Sequence, residues 1–261
     1  FPDRVLPMSP SRLPQEYRLV ELDEIDSTND EAKRLAAAGA PEGTLVWARC
    51  QTVGRGRRGR AWSSRRGNLF ASIIVRPDCA PLQAAQLTFA AALAVRDMLT
   101  IYIADSASIA CKWPNDVLVK GRKISGILLE SSTAGQGNVD WLVLGIGVNL
   151  RHHPDIGGRH PSTSLIDEGA GEVDLCAALW DFAGAFSRRW KQWRDGGFAP
   201  IRDAWLENAF GLGERASIKL ERGEFVGGFV GIDANGALRL KAGDGTERLF
   251  SAGDVTFGEQ S

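Results

Sequence analysis

The chain has 261 residues, 44% hydrophobic and 24% charged, with a formal net charge of −1. This length suffices for a sizeable buried core with a smaller second domain, and the near-neutral charge argues against a surface built entirely for nucleic acid or membrane. We find no apolar run approaching the ~18 residues of a membrane helix and no signal peptide. Four scattered cysteines without a C-x-x-C pair indicate reduced thiols rather than a metal site. We therefore expect a cytoplasmic protein without a membrane partner.

The hydrophobic pattern predicts a helix-and-strand domain after a proline-rich tail at residues 1–16. Cap signals predict a helix that starts at Ser27-Thr28-Asn29 and covers residues 30–39, and apolar spacing predicts a second helix over residues 81–99. Strand-like segments are expected at residues 44–48, 69–75, 108–113, 116–119, 124–130 and 141–150. Because short turns join several of these strands, neighbouring strands must pair antiparallel.

Two further helices are expected near residues 174–195 and 200–210, where a stripe of tryptophan and phenylalanine indicates core packing. After Gly211 the pattern changes to short alternating strands between glycine-containing turns. We therefore predict an α+β fold in two parts. Residues 17–210 form a mixed, largely antiparallel sheet packed with helices, and residues 211–261 form a small C-terminal β-barrel or sandwich.

The string Gly-Arg-Gly-Arg-Arg-Gly at residues 54–59 fits the glycine pattern of a dinucleotide-binding turn. That interpretation requires a following helix, whereas residues 60–68 lead into another strand, so we reject it. A Walker A loop is also excluded because the closing Lys-Ser/Thr is missing. Three interpretations remain open: a loop that binds a small anion such as phosphate or carboxylate, a nucleic-acid patch with Trp62 as a stacking residue, and a solvated basic loop.

Three other segments carry polar groups with two possible roles each. In Ser27-Thr28-Asn29, Thr28 and Glu31 fit a capping box, but a helix start also offers donors to a polar ligand. Lys112, in Lys-Trp-Pro-Asn-Asp, either extends outward to solvent or points into a pocket and neutralises charge on reacting groups. Asn149 is either a turn residue or a ligand contact.

Together these segments resemble the biotin protein ligase family. The matching motifs occur in the family's order: Ser27-Thr28-Asn29; Gln51 with residues 54–60 and Trp62; Lys112-Trp113-Pro114-Asn115-Asp116; residues 123–126; and Gly145-Ile146-Gly147-Val148-Asn149. The resemblance covers about residues 17–258 and implies a class II synthetase-like catalytic fold with an SH3-like C-terminal barrel. About 16 residues precede the match, so we expect the ligase-only form, without an N-terminal DNA-binding domain.

The resemblance also implies the reaction and the site. Biotin and ATP would give biotinyl-5′-AMP, and a lysine of a biotin carboxyl carrier domain of acetyl-CoA carboxylase or a related carboxylase would accept the biotinyl group. The implied catalytic residues are Lys112, Arg55 and Arg57. The implied biotin-binding residues are Ser27, Thr28, Asn29, Gln51, Gly54, Arg55, Gly56, Arg57 and Lys112. The implied ATP-binding residues are Arg57, Arg58, Arg60, Trp62, Asn115, Lys123 and Asn149. Mg²⁺ is expected on the ATP phosphates, with no ligand assignable from sequence.

Two rival functions come from other readings of the same features: a lipoate or octanoate ligase or transferase on a related fold, and a nucleic-acid-binding module. A possible homodimer is implied by resemblance, and specific DNA binding is not expected. We expect the loop at residues 54–67 to be mobile until an anionic ligand arrives, because its glycines are flexible and its arginines repel one another.

Overall fold

The computed structural model of the protein describes residues 13–133, 137–154, 161–219 and 223–258. In chain order the elements are β1 (Arg18–Ile25), α1 (Thr28–Ala37), β2 (Thr44–Gln51), β3 (Leu69–Val75), α2 (Pro81–Ala84), α3 (Leu87–Tyr102), β4 (Ile109–Lys112), β5 (Asp116–Val119), β6 (Arg122–Thr133), β7 (Val139–Val148), α4 (Leu175–Gly196), α5 (Phe198–Glu207), β8 (Arg215–Lys219), β9 (Glu224–Ile232), β10 (Leu238–Lys241), β11 (Glu247–Phe250) and β12 (Asp254–Phe257). Most of the predicted tail, residues 1–12, lies outside the described residues.

The first seven strands form one sheet in the order β1-β2-β3-β7-β6-β5-β4. Only the β1–β2 pair is parallel, and the other neighbours are antiparallel. The prediction of an α+β fold with a mixed, largely antiparallel sheet is confirmed. Because β2 and β3 are antiparallel neighbours, the segment between them joins two strands, as the rejection of a dinucleotide-binding turn requires.

Helices cover both faces of this sheet. Helices α3 and α4 pack on one face, with α5 packed against both of them, and α1 packs on the other face. Strand β3 is buried along its whole length, which explains its nearly continuous apolar sequence. On the α1 side, Ala32 and Ala36 pack against Val46, Ile74 and Val143, one from each of three adjacent strands. The seven-stranded sheet is therefore packed on both faces, and the ends of its strands position the polar motifs.

The predicted helix over residues 81–99 is two helices, α2 and α3, and the second continues to Tyr102. The 22-residue segment Pro81–Tyr102 is long and apolar enough to cross a membrane by length and composition, so our expectation of no such segment is wrong by that measure. Its most hydrophobic window is 67% buried within the protein. The high hydropathy of the segment is therefore accounted for by packing against the sheet, α4 and α5.

The aromatic stripe of α4 and α5 is core, as predicted. Phe182, Phe186 and Trp205 are each at most 1% exposed. The Phe89 ring of α3 contacts Trp205 edge-on, with ring centroids 5.3 Å apart. These contacts fasten the two C-terminal helices of the catalytic part to the helix that lines its sheet.

The last five strands form a separate antiparallel sheet in the order β11-β10-β9-β8-β12. A small C-terminal β domain is therefore confirmed, but among the described strands β11 and β12 do not pair, so no closed barrel is formed. The sheet docks on the catalytic part through Trp113, whose indole N–H donates to the carbonyl of Gly236 at 3.0 Å. Backbone bonds from Cys111 to residues 208 and 210 hold the connection between the two sheets.

Candidate functional site

A cavity of about 360 Å³ opens where the arginine-rich segment, the seven-stranded sheet and the C-terminal domain meet. It brings together most of the residues singled out from the sequence: Ser27, Thr28, Asn29, Gln51, Arg55, Gly56, Arg57, Arg60, Trp62, Lys112, Asn115, Lys123 and Asn149. Gly54 and Arg58 do not line it. Segments separated by more than a hundred residues in the chain thus meet at one cavity, with cationic side chains on several sides.

One end of the cavity is built on the start of α1. The N-cap is Ser27, whose hydroxyl accepts from the Asp30 amide at 3.5 Å. The predicted capping box of Thr28 and Glu31 is wrong: Glu31 pairs with Arg34 at 2.7 Å. Thr28 lies inside the helix and is 3% exposed. Its side chain does not cap the helix and is available for other hydrogen bonds. The N-cap lies one residue earlier than predicted. Ser27 and Thr28 both carry a hydroxyl group that can cap a helix, so the sequence pattern fits either position.

The Thr28 side chain belongs to a buried polar network. Its backbone N–H donates to Gln51 Oε1 at 2.8 Å, and its hydroxyl oxygen lies 3.1 Å from the same atom. Ser72 Oγ lies 2.8 Å from Thr28 Oγ1 and 2.7 Å from Asn29 Oδ1. Asn29 Nδ2 in turn donates to Glu130 Oε2 at 2.9 Å. This end of the cavity therefore presents an ordered set of hydroxyl and amide groups, suited to a neutral polar ligand group.

The arginine loop, residues 54–67, folds back on itself. The Gly56 amide donates to the Arg60 carbonyl at 2.7 Å, and the Trp62 amide to the Gly54 carbonyl at 2.9 Å. Residues Arg57–Gly59 form one 3₁₀ turn in which Arg58 adopts the left-handed conformation, with φ of 56°. Arg57 and Arg60 line the cavity, whereas Arg58 does not and instead pairs with Asp254 at its edge.

Carboxylates from other parts of the chain pair with the loop arginines. Arg55 contacts Asp30 at 2.5 Å, Arg60 contacts Asp254 at 2.8 Å, and Arg66 contacts Asp23 at 2.6 Å. Mutual repulsion of the arginines, expected from a sequence with no acid among them, is therefore offset by distant carboxylates. Burial opposes ionisation of Asp254, but the charges of Arg60 and its neighbours outweigh it and hold the pKa of that carboxyl below its usual value.

Trp62 lies flat against a floor of two glycines. Gly126 of β6 and Gly147 of β7 are register partners. A Cβ on Gly147 would overlap the Trp62 indole, and one on Gly126 would lie 3.1 Å from it. The Lys123 ammonium sits 5.4 Å from the ring centroid, a distance at which a cation is attracted to the aromatic face. The glycines of these strands therefore make room for an aromatic wall of the cavity.

Lys112, at the end of β4, is 9% exposed and lines the cavity. Its placement confirms that the side chain does not extend freely into solvent. Burial lowers the pKa of this ammonium from its usual value, and the nearby Asp116 carboxylate acts in the opposite direction. Asn115 connects this segment to the arginine loop by accepting from Arg57 Nη1 at 3.1 Å. The cavity thus holds a buried ammonium beside a guanidinium, a combination that favours anionic ligand groups.

Asn149 lies at the end of β7 and is 2% exposed. Its side-chain amide donates to the carbonyl of Thr163 at 3.1 Å, and the adjacent turn is held by Asn68. Asn68 Oδ1 accepts from the backbone N–H groups of Leu150, Arg151 and His152 at 3.1, 2.9 and 3.0 Å. Asn149 is therefore both a turn residue and a cavity residue.

Several site residues were missed by sequence reasoning: Ser64, Ser72, Glu130 and Asp254. Each is a common polar residue in an unremarkable local pattern. Ser64 accepts from Gln51, 13 residues away, whereas the partners of Ser72, Glu130 and Asp254 lie at least 43 residues away in the chain. Asp116 also lines the cavity and could have been assigned from the sequence, because it is the last residue of the Lys-Trp-Pro-Asn-Asp motif. Its Oδ1 pairs with Lys123 at 2.6 Å. No group of three metal-ligating side chains occurs within the described residues; His160 lies outside them.

Comparison with known proteins assigns the two parts of the chain separately. Residues 22–149 match the model of the biotin/lipoate A/B protein ligase family, and residues 211–258 match that of the biotin protein ligase C-terminal domain. A biotin–[acetyl-CoA-carboxylase] ligase of Paracoccus denitrificans is 45% identical, covering 89% of this chain and 98% of the relative. The bifunctional ligase/repressor of Bacillus subtilis is 36% identical, covering 92% of this chain and 74% of the relative.

Solved structures agree with these matches. The biotin protein ligase of Aquifex aeolicus in complex with biotin and ATP superposes with a TM-score of 0.78 at 28% identity, covering 93% of this chain and 99% of that one. The Leishmania major biotin protein ligase in complex with biotinyl-5-AMP superposes with a TM-score of 0.63 at 26% identity, covering 92% and 100%.

Proposed function

The chain belongs to the biotin protein ligase family, and we propose that its cavity binds biotin and ATP side by side for an ATP-dependent biotin–protein ligation. The observation that carries this function is the convergence of the hydroxyl–amide network, the arginine loop and Lys112 on one cavity. The hydroxyl–amide network suits the neutral polar head of biotin, and the arginine loop and Lys112 suit its carboxylate and the phosphates of ATP. The lipoate-ligase and nucleic-acid alternatives gain no support from the geometry or the comparisons.

The reaction has two steps. In the first, a biotin carboxylate oxygen attacks the α-phosphorus of ATP, a new P–O bond forms, and pyrophosphate leaves with the electrons of the broken bond. In the second, the neutral amine of a carrier lysine attacks the acyl carbon of biotinyl-5′-AMP. AMP leaves, and the amine nitrogen loses a proton as the amide forms. No nucleophile from the enzyme is needed, since the carboxylate itself attacks.

At the polar end, Ser27, Thr28, Asn29 and Gln51 would hold the cyclic urea of biotin. They line the cavity beside one another, and their hydrogen-bond partners are already in place. A ligand that enters such a preorganised set loses less free energy to ordering of the site than one that must arrange flexible side chains.

At the reacting centre, Lys112, Arg55 and Arg57 would contact the biotin carboxylate and the α-phosphate, with the backbone of Gly56 allowing close approach. Gly54 would act indirectly, since a Cβ there would collide with Ser64 Oγ and the Trp62 carbonyl within the loop. Two anions repel each other as they meet, so buried cations that bridge them stabilise the transition state. Burial also lowers the pKa of Arg57, but a guanidinium stays charged at neutral pH. These residues therefore act by position and charge rather than by proton transfer.

On the nucleotide side, Trp62 offers an aromatic face to adenine, while Lys123 and Asn149 lie at the same end of the cavity. Asn115 holds Arg57, and Arg60 reaches the cavity from the loop. Arg58 faces Asp254 at 3.3 Å and would reach a phosphate only if the loop moves. Its assignment to ATP therefore depends on closure of the arginine loop over the ligand.

Mg²⁺ would enter with ATP rather than occupy a dedicated protein cage. Two carboxylates line the cavity, Asp116 and Asp254, and each already pairs with a cation, Lys123 or Arg60. Such a donor set fits a hydrated ion held through the substrate phosphates and at most one carboxylate. When bound, the ion would neutralise phosphate charge, while the protein residues orient the reacting groups.

Five further assignments complete the proposal. The acceptor is a biotin carboxyl carrier domain of acetyl-CoA carboxylase or a related carboxylase, by analogy with the named relatives. The protein is cytoplasmic, in keeping with four free cysteines, and forms a homodimer. It binds DNA only weakly and without sequence specificity, because carboxylates already pair with the loop arginines. A domain boundary near residue 210 accords with the change of sheet.

Release of pyrophosphate from ATP tests this function and separates it from its closest alternative. We expect release to depend on biotin and to be undetectable when lipoate or octanoate replaces biotin at the same concentration. Release with lipoate in preference to biotin would overturn the assignment.

A further inference from the structure

We propose that Glu130, which lies outside the wall of the cavity, is a positioning residue that fixes the orientation of the Asn29 amide and so sets which hydrogen-bonding groups the cavity presents to its ligand. The inference rests on the proposed function, because it assigns a determinant of specificity to the biotin end of that site. Glu130 is on the long strand β6, in none of the motifs that define the site.

The Glu130 carboxylate is held between two cations and one amide. Its Oε1 pairs with Lys33 Nζ at 2.8 Å, and its Oε2 accepts from Asn29 Nδ2 at 2.9 Å and lies 3.6 Å from Arg55 Nη2. The side chain is 27% exposed. A carboxylate that faces two cations and an amide N–H accepts hydrogen bonds from them and donates none.

An acceptor at this place dictates the orientation of Asn29. If the amide rotated by half a turn, its carbonyl oxygen would face the carboxylate, and both oxygens would lack a proton to share. Asn29 Nδ2 therefore stays on the Glu130 side, where it also approaches the Leu128 carbonyl at 3.4 Å. The opposite atom, Oδ1, lies over Gly145, where any Cβ would collide with it, and next to Ser72.

The direction of hydrogen bonding then propagates to Thr28. Because Asn29 Oδ1 has no proton, the single hydroxyl proton of Ser72 must be donated to it across their 2.7 Å contact. The Thr28 hydroxyl proton is then donated either to Ser72 or to Gln51 Oε1. Gln51 is itself oriented by the Thr28 backbone N–H at 2.8 Å.

The result is a cavity end with acceptors facing the ligand. Asn29 Oδ1 keeps a second lone pair, and Thr28 Oγ1 also keeps a free lone pair. The Asn29 amide protons and the Thr28 hydroxyl proton are donated to other protein groups and not to the ligand. These acceptors suit a ligand head with N–H donors, such as a cyclic urea. A dithiolane or an alkyl chain has no donor and would leave them unsatisfied, a loss that discriminates strongly between ligands.

A hydrogen-bond reversal tests the proposal. Glu130→Gln removes the fixed acceptor and lets the Asn29 amide rotate, so we expect the Kd for biotin, measured by calorimetry without ATP, to rise about tenfold. Asn29→Asp places two carboxylates side by side and should weaken biotin binding at least as much. In the double variant Asn29→Asp/Glu130→Gln, a glutamine amide again donates to a carboxylate, with the direction reversed. We expect its Kd to return to within about threefold of wild type.

Rescue distinguishes positioning from general damage. Loss of the Lys33 and Arg55 contacts affects Glu130→Gln and the double variant equally, so recovery in the double variant reports the Asn29 contact alone. The Kd for ATP should stay within about twofold throughout. Glu247→Gln, which breaks an exposed ion pair with Arg239 on the C-terminal sheet, is the matched control and should leave both constants unchanged.

Two results would overturn the proposal: biotin binding by Glu130→Gln within twofold of wild type, or a double variant that binds no more tightly than Asn29→Asp. If Glu130→Gln does not fold, as judged by circular dichroism, the comparison of Asn29→Asp with the double variant decides the question, and failure of the double variant to fold counts against it. Absence of biotin binding by the wild-type protein would instead refute the proposed function.

Discussion

Replacement of Lys112 by alanine should remove most of the adenylation activity while leaving the protein folded. The ammonium is buried in the wall of a cavity that Arg57, Arg60 and Lys123 also line, where we propose that the biotin carboxylate and the α-phosphate meet. A unit charge about 4 Å from an anion near a protein surface contributes about 4 kcal/mol at an effective dielectric of ~20. Loss of one preorganised electrostatic contact typically lowers kcat about 10²- to 10³-fold. The two estimates agree, and we expect a loss of that size.

The assay is biotin-dependent pyrophosphate release under saturating ATP, with thermal unfolding measured in parallel. Burial lowers the pKa of Lys112, which means that the buried ammonium does not stabilise the folded state. The alanine variant should therefore unfold at a temperature close to that of wild type. Lys191→Ala removes a lysine that is 69% exposed on α4 and pairs with Asp195, so it is the control and should keep full activity. Adenylation by Lys112→Ala within about threefold of wild type would refute the role.

The same lysine predicts a pH dependence. Because its pKa lies below the usual value of 10.5, the ammonium is lost at lower pH than in a free lysine. The kcat/KM for ATP should therefore decrease as pH rises through this lowered pKa. In Lys112→Arg the guanidinium stays charged, so the alkaline decrease should move to higher pH or disappear. An unchanged alkaline limb in that variant would show that another group titrates.

Three other predictions address the glycine floor, the polar turn and the loop. Gly147→Ala should raise the KM for ATP at least about tenfold, because its Cβ would displace the Trp62 indole; Gly184→Ala, in the middle of α4 and with space for a methyl group, should leave activity unchanged and serves as the control. An unchanged KM for Gly147→Ala would exclude Trp62 from the nucleotide site. Asn68→Ala should lower the free energy of unfolding by about 2–3 kcal/mol, because three backbone N–H groups lose their acceptor, and a denaturant titration that shows no loss would contradict this. Amide hydrogen exchange in residues 54–67 should slow when biotin and ATP are added, since the ligand anions engage the arginines; equal exchange with and without ligands would refute loop closure.

Local sequence patterns identified the motifs that line the cavity better than the residues that hold those motifs in place. The arginine loop, with Trp62, was singled out because so many arginines and glycines in one segment are unusual, and Lys112 because it stands among apolar residues at the end of a predicted strand. Glu130 and Asp254 were not found, since a single carboxylate acquires meaning only from partners about 100 to 200 residues away, Asn29 and Arg60. Such pairings depend on the order of strands in the sheet, which no short pattern encodes.

The fold shows the same division. Helix and strand positions followed from apolar spacing, and antiparallel pairing followed from short turns. The parallel pairing of β1 with β2 was missed because residues 18–25 were not identified as a strand, although a helix between two strands, here α1, is the connection that parallel pairing uses. A closed C-terminal barrel was expected from the family resemblance, whereas the strand pattern left a barrel or a sandwich open. Closure depends on long-range register, and the described strands form an open sheet.

Biotinylation of a carrier domain tests the central claim most directly. The purified protein is incubated with ATP, Mg²⁺, biotin and a biotin carboxyl carrier domain, and the carrier is analysed by intact-mass spectrometry. We predict the addition of one biotinyl group that requires ATP and is abolished when the acceptor lysine of the carrier is changed to arginine. A carrier whose mass stays unchanged, or one modified by lipoate but not by biotin, would contradict the account.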